Sequence, residues 1–172
     1  ADQLLLLARA DAGVLGGSVH DFDLPDLLED AVSRWSPMAK GQGVELDSAI
    51  PSDGRVEADH DLVGRVLDNL LDNAIRHTPA GGRVRLEAAC KDREWTVLVS
   101  DSGPGISPEN RARVFERFFR SDPARARANG GAGLGLSLVK AIIEFHGGSI
   151  EVAEHGPLAG ACFVVKMPAR QR

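Results

Sequence analysis

Apolar residues at Leu62, Val63, Val66, Leu67, Leu70, Leu71, Ala74 and Ile75 recur at three- and four-residue intervals. That period predicts an amphipathic helix with one face in a core. Asn69, Asn73 and Arg76 follow one another at intervals of four and three, so they share a different face. Asparagine is a mediocre helix former because its amide competes for the backbone. Two in line, followed by Arg76 and His77, read either as a solvated stripe or as a ligand-facing one. Asp59 or Asp61 is placed to cap this helix, and Thr78-Pro79-Ala80-Gly81-Gly82 ends it.

The same reading orders the rest of the chain. A leucine-rich helix over 2–12 stops at Gly13, and a short strand follows over 19–24. Asp23 and Pro25 start a helix whose apolar face is Leu27, Leu28, Ala31, Val32 and Trp35, and Pro37 should kink or end it. Alternation predicts a strand over 44–50, turned back by Pro51-Ser52-Asp53-Gly54 into a short strand at Val56. A hairpin follows, with strands over 83–90 and 95–100. Next come a glycine-containing loop over 101–106, a short helix over 108–119 and a loop over 121–133. A helix over 134–145 ends at Gly147-Gly148, and two closing strands over 149–153 and 161–167 flank the 156–160 turn. Helices mixed with mostly hairpin-connected strands predict an α+β fold, helices on one face of a mixed sheet.

Composition narrows the function. The 172 residues suit one domain, or one domain with an appendage, and 43% hydrophobic residues suffice for a core. A net charge of -5 argues against a nucleic-acid binder. No apolar run approaches the roughly 20 residues of a membrane span, and Ala1-Asp2-Gln3 is not the basic start of a signal peptide. Cys90 and Cys162 lack metal-ligand spacing and are expected as buried free thiols. The five histidines are scattered, which discounts a zinc site.

Three further segments carry chemistry. Asp101-Ser102-Gly103-Pro104-Gly105-Ile106 follows an apolar strand. Its glycines let backbone approach a flat ligand, and its carboxylate suits an exocyclic amine such as that of adenine. Gly130-Gly131-Ala132-Gly133-Leu134-Gly135-Leu136-Ser137 runs straight into a helix, an arrangement that offers N–H groups to a phosphate. It is not a Walker A loop, because Leu136 stands where lysine is required. Val114-Phe115-Glu116-Arg117-Phe118-Phe119-Arg120 leads into a basic stretch, with six arginines and two acids between 111 and 129. Its three phenylalanines are expected in core or lid packing.

These four segments, in this order, resemble the N, G1, F and G2 boxes of the histidine kinase catalytic and ATP-binding domain, over about 22–168. Leu4-Leu5-Leu6-Leu7-Ala8-Arg9-Ala10-Asp11 is similar to the end of that family's dimerisation and phosphoacceptor hairpin. The resemblance implies a Bergerat-type two-layer α/β sandwich, a mixed five-stranded sheet on about three helices. The hairpin stub would span 1–15 and the ATP-binding domain 19–169. It implies ATP and Mg²⁺. Asn73 would hold the metal and act in catalysis, with Asn69 in support one turn earlier. Arg76 would reach phosphate oxygens, and His77 would sit near phosphate or sugar. Asp101 would read the adenine amine in a pocket shaped by Gly103, Gly105 and Ile106. Arg120 would approach the γ-phosphate as the lid over 120–131 closes, and Gly131, Gly133, Leu134, Gly135 and Leu136 would wrap the phosphates. The chemistry would be phosphoryl transfer by positioning and charge neutralisation.

The implied partners are the phosphoacceptor-histidine hairpin of the same parent protein and, through it, a response regulator. Nucleic acid and membrane contact by this segment are not expected. The implied setting is cytoplasmic, with the parent anchored in the inner membrane. No phosphoacceptor segment is recognised in the chain, so self-phosphorylation is not expected, and the isolated domain should be a monomer. The hydrolytic relatives of the same fold, in gyrase, mismatch repair and heat-shock chaperones, place a glutamate four residues before the metal-binding asparagine. Asn69 holds that position here and has no basic lone pair to deprotonate water. A module that has lost nucleotide binding would show broken motifs, and these are intact.

Overall fold

A computed structural model describes residues 2–121 and 131–169. Helix α1 (Asp2–Asp11) and strand β1 (Val19–Asp23) lead into α2 (Leu24–Gly41), β2 (Glu45–Ala49), β3 (Arg55–Asp59) and α3 (His60–His77). Strands β4 (Arg83–Lys91) and β5 (Glu94–Asp101) precede two single 3-10 turns, Pro108–Asn110 and Arg113–Phe115. Helix α4 (Gly135–Phe145), β6 (Ser149–Val152) and β7 (Cys162–Pro168) complete the fold. Five strands form one sheet in the order β2-β4-β5-β7-β6, antiparallel except for the parallel β2–β4 pair. The α2, α3 and α4 helices pack on this sheet, and α1 packs on α4. The expected α+β sandwich, a mixed five-stranded sheet on three helices, is the observed one. Among the described residues, no helix is long and apolar enough to cross a membrane.

The central helix forms where its period predicts. Leu62, Val63, Val66, Leu67, Leu70, Leu71, Ala74 and Ile75 are all buried. Asp59 is its cap, accepting the Leu62 N–H at 2.9 Å. At full burial each large aliphatic side chain contributes about 1.5–3 kcal/mol, so packing of this face, not helix propensity, holds α3 in place.

Four expectations fail locally. Helix α2 runs through Pro37 to Gly41, because Ala39 beyond it is buried in the core and its carbonyl takes the Val44 N–H at 2.9 Å. That docking outweighs the single backbone bond a proline removes. The 44–50 and Val56 strands do not form a hairpin. The Trp95 ring lies against Gly54 and donates its indole N–H to the Arg55 carbonyl at 3.2 Å, which leads β3 off the main sheet to pair with β1. The 108–119 stretch breaks into two turns, since Phe118 adopts φ +63° and its N–H goes to the Gly133 carbonyl at 2.8 Å. Lastly, only Cys162 is a buried thiol, its pKa pushed up to about 11 chiefly by burial. Cys90 is exposed near the end of β4, where the neighbouring Ala89 and Lys91 are exposed as well.

Candidate nucleotide site

The C-terminal half of α3 is flanked by the other three segments. On one side, a Cβ on Gly135 would stand 2.8 Å from Asn69 Oδ1. On the other, a Cβ on Gly103 would stand 2.5 Å from the His77 carbonyl oxygen. Gly103 meets backbone, so glycine is required there, whereas at Gly135 it is the end of the Asn69 side chain that a larger residue would have to push aside. The third segment joins the second through the Phe118–Gly133 backbone bond, where Gly133 has φ +72°.

Asp101 ends β5 and is 2% exposed. Its Oδ1 accepts the Gly103 N–H at 2.9 Å and the Ala161 N–H at 3.2 Å. Its Oδ2 accepts no hydrogen bond among the described residues. Burial raises the Asp101 pKa, opposed by those two N–H groups and by the nearby His77. The carboxylate is therefore desolvated and held by one oxygen, with the other left to face a donor. Gly105, at φ +76°, lies against Gly160, and Ile106 packs on the core.

The phosphate-facing candidates lie in more open surroundings. The Asn69 amide N–H donates to the Arg65 carbonyl at 2.9 Å, and its Oδ1 accepts from Gln3 at 3.3 Å. Asn73 is half-buried; its backbone carbonyl accepts the His77 Nδ1–H at 2.7 Å, while its side-chain amide makes no hydrogen bond among the described residues. Arg76 pairs with Asp72 at 2.8 Å. The first turn of α4 has no side-chain cap: the Ser137 hydroxyl donates to the Leu134 carbonyl at 2.8 Å instead. The leading N–H groups at Gly135 and Leu136 thus have no intrahelical acceptor and point out of the helix start. Leu134 is buried and Leu136 half-buried, anchoring this end. Gly131 lies beside Arg120, where a Cβ would be 3.8 Å from the guanidinium. Gly130 and the rest of the expected lid, including Arg125 and Arg127, lie outside the described residues. Of the three phenylalanines, Phe115 packs edge-on against core Phe163, Phe119 lies under Arg113, and Phe118 is exposed.

Two contributions had no distinct signal in the sequence. In the sequence Gly160 is only part of a turn, yet a Cβ there would run into Asp101 Oδ1 and would stand 2.6 Å from the Gly103 nitrogen. The sequence pattern makes helix α1 only a stub, yet Gln3 reaches Asn69 and Asp11 pairs with Arg117 at 2.6 Å. Gly160 could have been suspected from the glycine just ahead of the last strand; for Gln3 and Asp11 nothing in the local pattern pointed to the site.

The model of the Histidine kinase-, DNA gyrase B-, and HSP90-like ATPase family matches residues 58–171. The histidine-protein kinase BaeS of Escherichia coli is 35% identical over 97% of this chain and 36% of its own length. The sensor-like histidine kinase SenX3 of Mycobacterium tuberculosis is 37% identical over 97% of this chain and 40% of its own. The chain thus spans about two fifths of the length of these two relatives. Among solved structures, the mycobacterial sensor histidine kinase MprB superposes with a TM-score of 0.74 at 31% identity, over 90% of this chain and all of that one. Full-length ShkA, solved with AMPPNP, gives a TM-score of 0.83 at 31% identity over 99% of this chain and 35% of its own. With the intact site segments set around α3, these matches identify the chain as a member of the histidine kinase-, DNA gyrase B- and HSP90-like ATPase family, in its sensor histidine kinase branch.

Proposed function

We propose that this chain is the Mg–ATP-binding catalytic part of a sensor histidine kinase that passes the γ-phosphoryl group of ATP to a histidine on the phosphoacceptor hairpin of its parent protein. In this reading 1–15 is the end of that hairpin and 19–169 the catalytic domain, monomeric in isolation. The parent acts on a response regulator and is anchored in a membrane. The observation that carries the proposal is the convergence on α3: Gly135 against Asn69 on one side, Gly103 against His77 on the other. That sets a carboxylate for an amine at one end and open helix N–H groups for anions at the other.

The donor set fits the implied ligands. Asp101 Oδ2 accepts from the adenine amine, while Gly103, Gly105 and Ile106 leave the base room to lie flat. Asn73, whose side-chain amide has no hydrogen bond among the described residues, offers a neutral oxygen to Mg²⁺, which neutralises phosphate charge when bound. Asn69 supports it, Arg76 and Arg120 are the cationic partners of the phosphates, and His77 keeps Nε2 outward because Nδ1–H is spent on the Asn73 carbonyl. Gly131, Gly133, Leu134, Gly135 and Leu136 present backbone N–H groups to the phosphates. Because Asn69 is no base, the site does not activate water, and the acceptor is a side chain from elsewhere.

The test mixes this chain with a separate hairpin carrying the acceptor histidine and γ-labelled ATP. Acid-labile label on the hairpin is expected. Rapid release of inorganic phosphate without labelling would turn the reading to the hydrolytic alternative.

A further inference from the structure

His146 sits just past α4 and uses both ring nitrogens. Nδ1–H donates to the Ile142 carbonyl at 2.8 Å, and Nε2 accepts the Asp59 backbone N–H at 3.0 Å. Carbonyls only accept and amides only donate, so the ring is neutral and in one tautomer. Asp59 in turn caps α3. His146 therefore ties the end of α4 to the start of α3.

The other ends of the same two helices meet at the candidate site, where Gly135 abuts Asn69. From Asp59 to Asn69, α3 rises about 15 Å, and from Gly135 to His146, α4 rises about 16 Å. The spans match, so the helices run antiparallel with a pin at each end. Between the pins the contact is apolar, and apolar attraction is non-directional. It holds the helices together but resists sliding less than a hydrogen bond does. At the Gly135 end the two helices come close, a Cβ there standing 2.8 Å from Asn69 Oδ1.

We propose that His146 is a positioning residue for the nucleotide site. By accepting the Asp59 N–H it fixes the slide of α4 along α3, and so sets where the open N–H groups of the α4 start stand relative to Asn69 and Asn73. This rests on the nucleotide-binding reading for its consequence, but not for its geometry. The residue makes no contact with the proposed ligand; it acts at the far end of two helices.

Two substitutions separate the acceptor from mere bulk. In His146→Gln the side-chain oxygen falls four bonds from Cα, as Nε2 does, and keeps the bond to Asp59. In His146→Asn the reach is one bond shorter, so only the Ile142 contact survives. Hydrogen exchange of the Asp59 amide and the side-chain amide resonance of Asn69 are followed in the whole chain, with Mg–ATP affinity by calorimetry. Expected for His146→Asn are faster Asp59 exchange, a shifted Asn69 resonance and affinity weaker by about three- to tenfold, the scale of one net hydrogen bond. His146→Gln should stay near wild type in all three. An unmoved Asn69 resonance in His146→Asn, or equal loss in both variants, overturns the proposal. Absence of Mg–ATP binding in the wild type would instead sink the nucleotide reading, while the exchange and resonance data would still decide the role of His146.

Discussion

Asp101 and Asn73 are linked through His77, which bonds the Asn73 carbonyl and lies against Gly103, yet their surroundings are built on opposite plans. Around Asp101 nearly everything is already in place. The side chain is buried, two backbone N–H groups fix Oδ1, and Gly103 and Gly160 close in so tightly that no side chain fits at either. Around Asn73 the groups are polar and open: Arg76 is exposed and paired with Asp72, and the α4 start leaves N–H groups without a cap. A rigid base pocket avoids the entropy of ordering on binding. A phosphate region built from solvated charges instead adjusts to a ligand that changes charge and length during the reaction. In the proposed reading, recognition of the base is built into the fold, whereas the phosphate side would be completed by the nucleotide.

The comparison breaks first at Gly160. Gly160→Ala drives a methyl group into the Asp101 carboxylate and the Gly103 backbone. It should cost about 3 kcal/mol of stability, the upper end for overpacking, and abolish ATP and adenosine binding together. Retained adenosine binding would show that the pocket is softer than it looks.

Asp101→Asn leaves Oδ1 able to accept both N–H groups but turns the free oxygen into a donor. Affinity for ATP should fall about 10- to 150-fold, matching the 1.5–3 kcal/mol of a charge-assisted bond. Stability should move the other way. Burial raises the folded-state pKa, so the native protein holds this proton more tightly than the unfolded chain. The associated stability is complete below the unfolded value near 3.8 and lost as pH rises through the folded value. Thermal unfolding followed upward from about pH 4 should therefore show a decline that the asparagine variant lacks.

On the other side, Asn73→Ala should weaken ATP about tenfold, as for one lost polar contact to a charged ligand, and remove most of its Mg²⁺ dependence. Adenosine should bind as before; a loss of adenosine as well would mean that the two halves are not separable. The smallest effect is expected for Asp11→Asn. Its carboxyl, held below the usual range chiefly by the Arg117 hydrogen bond, belongs to an exposed pair. Such exposed pairs are screened by solvent, so ATP affinity should change less than about fivefold in titration calorimetry.

What could be read in advance follows the same division. The α3 face, the β4–β5 hairpin and the α4 period were legible because each is a local pattern with a single packing solution. Asp101 and the glycine runs stand out in the sequence because their residue types are costly elsewhere. Gly160 does not, since its role depends on a register between β5 and β7 that brings it over Asp101. Gln3 and Asp11 depend on how α1 lies across α4, which no local pattern encodes. Pro37 misled because a breaker's cost is fixed while the benefit of docking Ala39 is set by the distant core.

The parallel β2–β4 pair has a consequence in time. The β4–β5 ladder closes through a two-residue turn, with Asp92 and Arg93 at positive φ, so it needs only neighbouring chain. Pairing β2 with β4 closes a loop that contains β3 and all of α3, a contact of long sequence separation. The β4–β5 hairpin therefore belongs to the early, local part of folding, with Asp101 at its open end, farthest from the turn. The β2 edge, closed across this long loop, is expected to pair later than the hairpin. In a refolding experiment, late protection of the β2 amides would serve as the clock for completion of the phosphate side.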